Sequence, residues 1–219
     1  MAERRFDLVV FDWDGTLMDS TATIVAAIQA ACADLGLPVP DRAQASHVIG
    51  LGLNDALHSA VPTLDPADYP RMVDRYRHHY FARDGELVLF DGVPALIDRL
   101  AAEGYGLAVA TGKSRAGLDR AFAASGLGAR FHGSRTADET FSKPHPAMLL
   151  ELIDEFAVSP ERTLMIGDTT HDLLMAQNAG TPAVGVTYGA HPLDVLDALA
   201  PLGLVHSVAE LDAWLAANA

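Results

Sequence analysis

Two carboxylates stand one residue apart in Asp12-Trp-Asp14-Gly-Thr16, directly after the apolar run Leu8-Val-Val-Phe11. Gly15 permits a turn and a close approach of backbone to a ligand. Both acids can then converge on one small anionic group, one attacking as a nucleophile or holding a metal while the other moves protons. An acidic turn selected for its Asp and Gly propensities reads equally well from this stretch alone. Three further places share the pattern of an apolar run, or a stiff turn, ending in polar residues. Ala110-Thr111-Gly112-Lys113 offers a hydroxyl and a glycine amide just ahead of a helix, a cradle for phosphoryl oxygens. Lys143-Pro144-His145-Pro146 sets an ammonium in a frame of prolines before another helix. Ile166-Gly167-Asp168-Thr-Thr-His-Asp172 breaks into two carboxylates four apart, which share one side of a first helical turn. Hard oxygen ligands of that kind suit Mg²⁺. Taken singly, each has a plainer reading as a turn, a surface lysine, or acids complementing a helix dipole.

These residues need strands to carry them to one edge. Leu8 to Phe11 is short, continuously apolar and β-branched at its centre, as expected of a strand covered on both faces. Gly106–Thr111, Thr163–Gly167 and Ala183–Thr187 read the same way, and Val205 marks a last short strand. Helices are expected over 93–103, 115–125, 146–156, 171–179 and 209–217, so strand and helix alternate. That alternation implies a parallel sheet with right-handed crossovers, whose ligands bind outside the carboxyl ends of the strands. Between Met18 and Gly85 the pattern is helical throughout, over 24–35, 41–48, 54–61 and 66–83, with no strand expected and a glycine loop, Ile49-Gly50-Leu-Gly52-Leu, between two of the helices. The expected architecture is α/β, a Rossmann-like parallel-sheet core (residues 1–17 and 86–219) carrying an inserted all-helical cap (residues 18–85).

Composition narrows the function. Half of the 219 residues are apolar and the formal charge is −14, so neither nucleic acid nor an anionic membrane is an expected partner. A phosphorylated substrate would need a local cation, from a metal or a buried lysine, to reverse that field within its cleft. Cys32 is the single cysteine and reads as a small apolar helix residue, which excludes an internal disulfide and fits a reducing cytoplasm. The leading Met-Ala-Glu-Arg-Arg runs into the first strand without a signal-length apolar segment, so a cytoplasmic location is expected. Monomer and dimer are equally compatible with the sequence.

Together, Asp12-Trp-Asp14-Gly-Thr16, Thr111, Lys143-Pro-His-Pro146 and Gly167-Asp168-Thr-Thr-His-Asp172 resemble, in order, the four motifs of the haloacid dehalogenase superfamily. The resemblance spans nearly the whole chain. The helical insertion, Asn178-Ala-Gly180 and the stretch 183–189 are similar to the phosphoglycolate-phosphatase-like branch. It implies a Mg²⁺-dependent phosphatase that hydrolyses a small phosphorylated metabolite, phosphoglycolate being one candidate, through an aspartyl-phosphate. Asp12 would be the nucleophile and Asp14 the acid and base. Thr111 and the Gly112 amide would hold phosphoryl oxygens, with Lys143 neutralising charge. Mg²⁺ would sit on Asp12, the Asp14 carbonyl and Asp168, with Asp172 a ligand or a support. The acid at position 14 and the absence of lysine between Met18 and Gly85 favour ester hydrolysis over dehalogenation and phosphonate cleavage within the family. A sugar-phosphate mutase of the same fold, a phospho-signalling module and a non-catalytic binding protein are the alternatives. For specificity the expectation falls on Met18, Ser20, His47 and Gly50, with Arg42 or Arg75 as a cation for a substrate carboxylate; His145 and His171 read as helix-start residues.

Overall fold

The computed structural model describes residues 4–219. In chain order its elements are β1 (Leu8–Phe11), β2 (Met18–Asp19), α1 (Thr21–Asp34), α2 (Arg42–His47), α3 (Leu53–Ala60), α4 (Tyr69–Phe81), β3 (Val88–Leu89) and α5 (Val93–Ala102). They continue with β4 (Gly106–Thr111), α6 (Arg115–Ser125), β5 (Gly133–Thr136), α7 (Ala147–Glu155), β6 (Thr163–Gly167), α8 (Thr170–Ala179), β7 (Ala183–Val186), α9 (Leu193–Asp197), β8 (Gly203–Val205) and α10 (Val208–Asn218).

Six strands form one parallel sheet in the order β5-β4-β1-β6-β7-β8. The order reverses at β1, which lies between β4 and β6 with Val10 opposite both Ala108 and Met165. Strand alternation splits β1 between two cores. Val9 and Phe11 join Val109, Ile166 and the apolar faces of α5 and α10, while Leu8 and Val10 join Ala108, Met165 and those of α7 and α8. A strand buried on both sides must be apolar throughout, which is why Leu8 to Phe11 carries no polar residue.

Helices α1 to α4 hold a third apolar cluster of their own, with Ile28, Leu57 and Met72 fully or almost fully buried. α2 starts at a capping box in which Asp41 and Gln44 satisfy each other's backbone N–H groups. The expectation of no strand after Met18 is corrected: Met18–Asp19 pairs antiparallel with Val88–Leu89, a two-stranded ribbon through which the chain enters and leaves the helical insertion. Two residues per strand are too few to show any period. Sheet strand β5 and the short helix α9 also went unforeseen. Among the described residues, no helix is long and apolar enough to cross a membrane.

Candidate active site

β1, β4 and β6 end side by side, so the residues that follow them meet at one edge of the sheet. Asp12 continues β1, its N–H donating to the Ile166 carbonyl at 2.9 Å, and is completely buried. The chain then turns at Gly15, whose φ of +83° is favourable only for glycine, with Leu17 N–H closing back onto the Trp13 carbonyl at 3.0 Å. The Trp13 indole is buried edge-on against Phe122 and Phe131, which anchors the segment between the two acids.

Lys143 joins the acids. Its buried Nζ lies 2.6 Å from Asp12 Oδ1 and 2.6 Å from Asp172 Oδ1. The other Asp172 oxygen accepts from Thr169 N–H (3.1 Å) and Thr169 Oγ1 (2.7 Å), the capping box that opens α8. Asp168 is fixed at both oxygens, Oδ1 accepting from Thr16 Oγ1 at 2.8 Å and Oδ2 from Ala190 N–H at 2.7 Å. Asp12 Oδ2, by contrast, is buried and has no hydrogen-bond partner among the described residues.

Three buried carboxylates, Asp12, Asp168 and Asp172, thus offer oxygens within 4.8 Å of one another. One ammonium cannot balance them. Burial drives the Asp12 pKa well above the ordinary carboxylate range, against the pull of Lys143 and with a further push from Asp172 and Asp168. Burial and the charge of Asp172 take Asp168 up to about 7, although the Ala190 N–H, Thr16 and Lys143 oppose them. The Lys143 pKa is raised, because Asp12 and Asp172 outweigh a burial effect that alone would lower it. An all-oxygen set with two surplus negative charges and an orphaned carboxylate oxygen fits a hard divalent cation such as Mg²⁺.

Asp14 faces a different partner. Its Oδ1 accepts from Ser20 Oγ at 2.7 Å and lies 3.0 Å from Lys113 Nζ, which in turn donates to the Tyr80 hydroxyl at 3.0 Å. Thr111 is buried at the end of β4, its Oγ1 accepting from Lys113 N–H at 3.2 Å. Gly112 lies under the glycine loop of the insertion so tightly that a Cβ there would sit 2.3 Å from the Leu51 carbonyl oxygen. The same loop is tied to two further core segments: Gly52 N–H donates to Ser142 Oγ at 2.8 Å, next to Lys143, and Gly50, with φ of +93°, abuts Thr169. The loop therefore touches all three segments that carry Gly112, Lys143 and Asp168.

Asp12, Asp14, Thr111, Gly112 and the glycine loop line a cavity of about 520 Å³ whose far wall is Ile24, Val73, Tyr76, Tyr80 and Phe81. Of the expected specificity residues, only Gly50 lines it. Met18 is buried in the ribbon and Ser20 serves Asp14. His47 faces away, its ring stacked on His191 and its carbonyl accepting from His171 Nε2 (2.8 Å) and His191 Nε2 (3.1 Å). Arg42 and Arg75 lie outside the cavity, whereas Arg77 and Arg120 line it. Lys113 stands in the sequence beside Thr111 and Gly112, and Thr16 in the first motif, without a role of their own there, while Tyr80 carries no local signal.

Residues 9–186 match the family model described as haloacid dehalogenase-like hydrolase. The chain belongs to that family. It is 39% identical over 212 residues to a probable phosphatase, IndB, of Dickeya dadantii, covering 93% of this chain and 91% of the relative. A 5'-nucleotidase of Pseudomonas aeruginosa is 34% identical over 222 aligned positions, covering 97% and 95%. The crystal structure of a predicted phosphoglycolate phosphatase from Haemophilus somnus 129PT superposes with a TM-score of 0.85 at 26% identity, over 96% of this chain and 98% of that one. The Rossmann-like core with its helical cap is thus the architecture of a haloacid dehalogenase-like hydrolase.

Proposed function

We propose that this hydrolase is a Mg²⁺-dependent phosphatase that cleaves a small phosphate monoester through an aspartyl-phosphate on Asp12. The observation that supports this most is the state of the Asp12 carboxylate: one oxygen clamped to Lys143 at 2.6 Å, the other buried and unpartnered. Asp12, Asp168 and Asp172 would hold the metal, with the Asp14 carbonyl as the further ligand the family resemblance offers. Mg²⁺ would supply positive charge where an anionic nucleophile meets an anionic phosphoryl group.

The chain's own groups divide the work. Thr111 and the Gly112 amide bind phosphoryl oxygens at the end of β4. Asp12 attacks phosphorus while Asp14 gives a proton to the departing alcohol oxygen, and Asp14 then takes a proton from the water that displaces Asp12. Lys143 keeps Asp12 oriented and offsets its charge. The loop 49–53 closes the cleft and excludes bulk water, which strengthens each of these interactions.

Phosphoglycolate is the narrower substrate candidate. Its carboxylate would need a cation, and Arg77 and Arg120 are placed along the cavity wall to provide one, the latter stacked on Phe81 at 4.4 Å. A cytoplasmic setting accords with the buried, lone Cys32. Phosphate release from a generic aryl phosphate with and without Mg²⁺ tests the general reading: Asp12→Asn should abolish it. A panel of phosphorylated metabolites ranked by kcat/KM tests the narrower one, which fails if phosphoglycolate stands no higher than the aryl ester.

A further inference from the structure

The family motifs leave one buried charge pair unexplained. Lys113 Nζ sits 3.0 Å from Asp14 Oδ1 on the core side and donates to the Tyr80 hydroxyl, 3.0 Å away, on cap helix α4. Both charged side chains are 11% exposed, so the pair is shielded from solvent screening. The ammonium lies 5.0 Å from the Tyr80 ring centroid, and that ring stacks on half-buried Tyr76 of the same cap helix. Burial alone would lower the Lys113 pKa; Asp14 and Tyr80 reverse that and keep it cationic. Two of its three ammonium donors are thus engaged, which holds Lys113 against Asp14 at the wall of the cavity it lines.

We propose that Lys113 is a positioning residue that holds the Asp14 carboxylate toward the reaction centre, and that Tyr80 makes this hold depend on closure of the cap. The inference rests on the role proposed above for Asp14. The half-reaction in which Asp14 accepts a proton requires its carboxylate oxygen to face the attacking water, and the contact with Lys113 fixes that orientation. In that step a water oxygen bonds to phosphorus, its proton passes to Asp14, the bond from phosphorus to the Asp12 oxygen breaks, and its electron pair returns to the Asp12 carboxylate as inorganic phosphate leaves. With the cap lifted, Tyr80 leaves with α4, Lys113 loses one of its two partners, and Asp14 gains rotamer freedom. Water attack is then tied to the closed state.

An aryl phosphate separates the two half-reactions, because its phenolate leaves without a proton. There kcat/KM reports transfer to Asp12 and kcat reports hydrolysis of the intermediate once that step is slowest. For Lys113→Met, kcat on such an ester should fall about 10-fold or more, short of the ~10²–10⁴ that loss of the base itself costs, with kcat/KM held within about 2-fold. Rapid mixing should show a burst of phenol equal to the active-site concentration. Tyr80→Phe, which keeps the ring and its packing, should show the same split with a smaller fall in kcat. Asp14→Asn is the control for the underlying reading and should show the split in full. Equal losses in kcat and kcat/KM for Lys113→Met, without a burst, while Asp14→Asn retains its burst, would overturn the positioning role and leave the phosphatase reading standing. An unchanged kcat in Tyr80→Phe would overturn the link to the cap. Absence of the split in Asp14→Asn would instead sink the role given to Asp14 and the inference with it.

Discussion

A Cβ built on Gly15 would fall 2.1 Å from Oδ2 of Asp168, 153 positions along the chain. The turn after the first acid is therefore glycine for two reasons, a φ of +83° and the carboxylate seated against it. Gly189 closes on the same oxygen from the other side, where a Cβ would lie 2.2 Å away.

Substitution at these glycines should cost metal response before it costs the fold. Gly15→Ala meets both the collision and a left-handed backbone, a strain of about 1–3 kcal/mol. Gly189→Ala meets the collision alone. Both variants are expected to lose the Mg²⁺-induced rise in melting temperature, with Gly15→Ala the less stable of the two in its absence. Thermal melts with and without Mg²⁺ check this, and a full Mg²⁺ shift in Gly189→Ala would contradict it.

Lys143 is the sole cation bonded to Asp12 and Asp172 among the described residues. Lys143→Met would leave buried carboxylates without it, a loss of about 3–5 kcal/mol by analogy with broken buried ion pairs. Denaturant melts should show that loss in the metal-free protein and a partial recovery on adding Mg²⁺, whereas phosphate release should stay at background in both conditions. A Lys143→Met protein as stable as the parent without Mg²⁺ would contradict the assignment.

Protons and metal should compete at Asp168. Its folded pKa of about 7 lies above the unfolded value near 3.8, so in the metal-free protein it contributes stability that is present at low pH and is lost as pH rises through 7. His191 acts in the opposite sense: burial and the neighbouring His171 lower it to about 4, so its contribution is lost as pH falls from 6.5 toward 4. The two overlap, and melting temperature alone hides both. The difference between melts with and without Mg²⁺ isolates the metal-binding carboxylates, Asp168 together with the raised Asp12, and the apparent Mg²⁺ affinity should weaken at least roughly 10-fold per pH unit below 7. An affinity flat between pH 5.5 and 7.5 would contradict the shift at Asp168.

Legibility followed burial. Gly106–Thr111 and Thr163–Gly167 can be read directly because a strand covered on both faces must be an unbroken apolar run, and their last residues then mark the site. Gly133–Thr136 at the sheet edge has Ser134 and Arg135 half-buried, so it carries neither an apolar run nor an alternation. The ribbon of Met18–Asp19 with Val88–Leu89 depends on pairing across the whole insertion, which local pattern does not encode. The same holds within the site. Asp12, Asp14, Asp168 and Asp172 stand out because carboxylates interrupt apolar runs, while the contact of Lys113 with Tyr80 exists only once α4 meets the loop that follows β4. His47 drew notice as a loop histidine, yet its ring packs on His191 and its carbonyl is what the core histidines bind.

In the proposed reaction Asp12 carries the phosphoryl group. Mixing the Mg²⁺-loaded enzyme with an aryl phosphate, quenching in acid within a turnover and weighing the proteolytic fragments tests it directly. The expected result is a phosphoryl mass increment on the fragment containing Asp12, absent in Asp12→Asn; an increment on another fragment, or none on any while phosphate is still released, would contradict it.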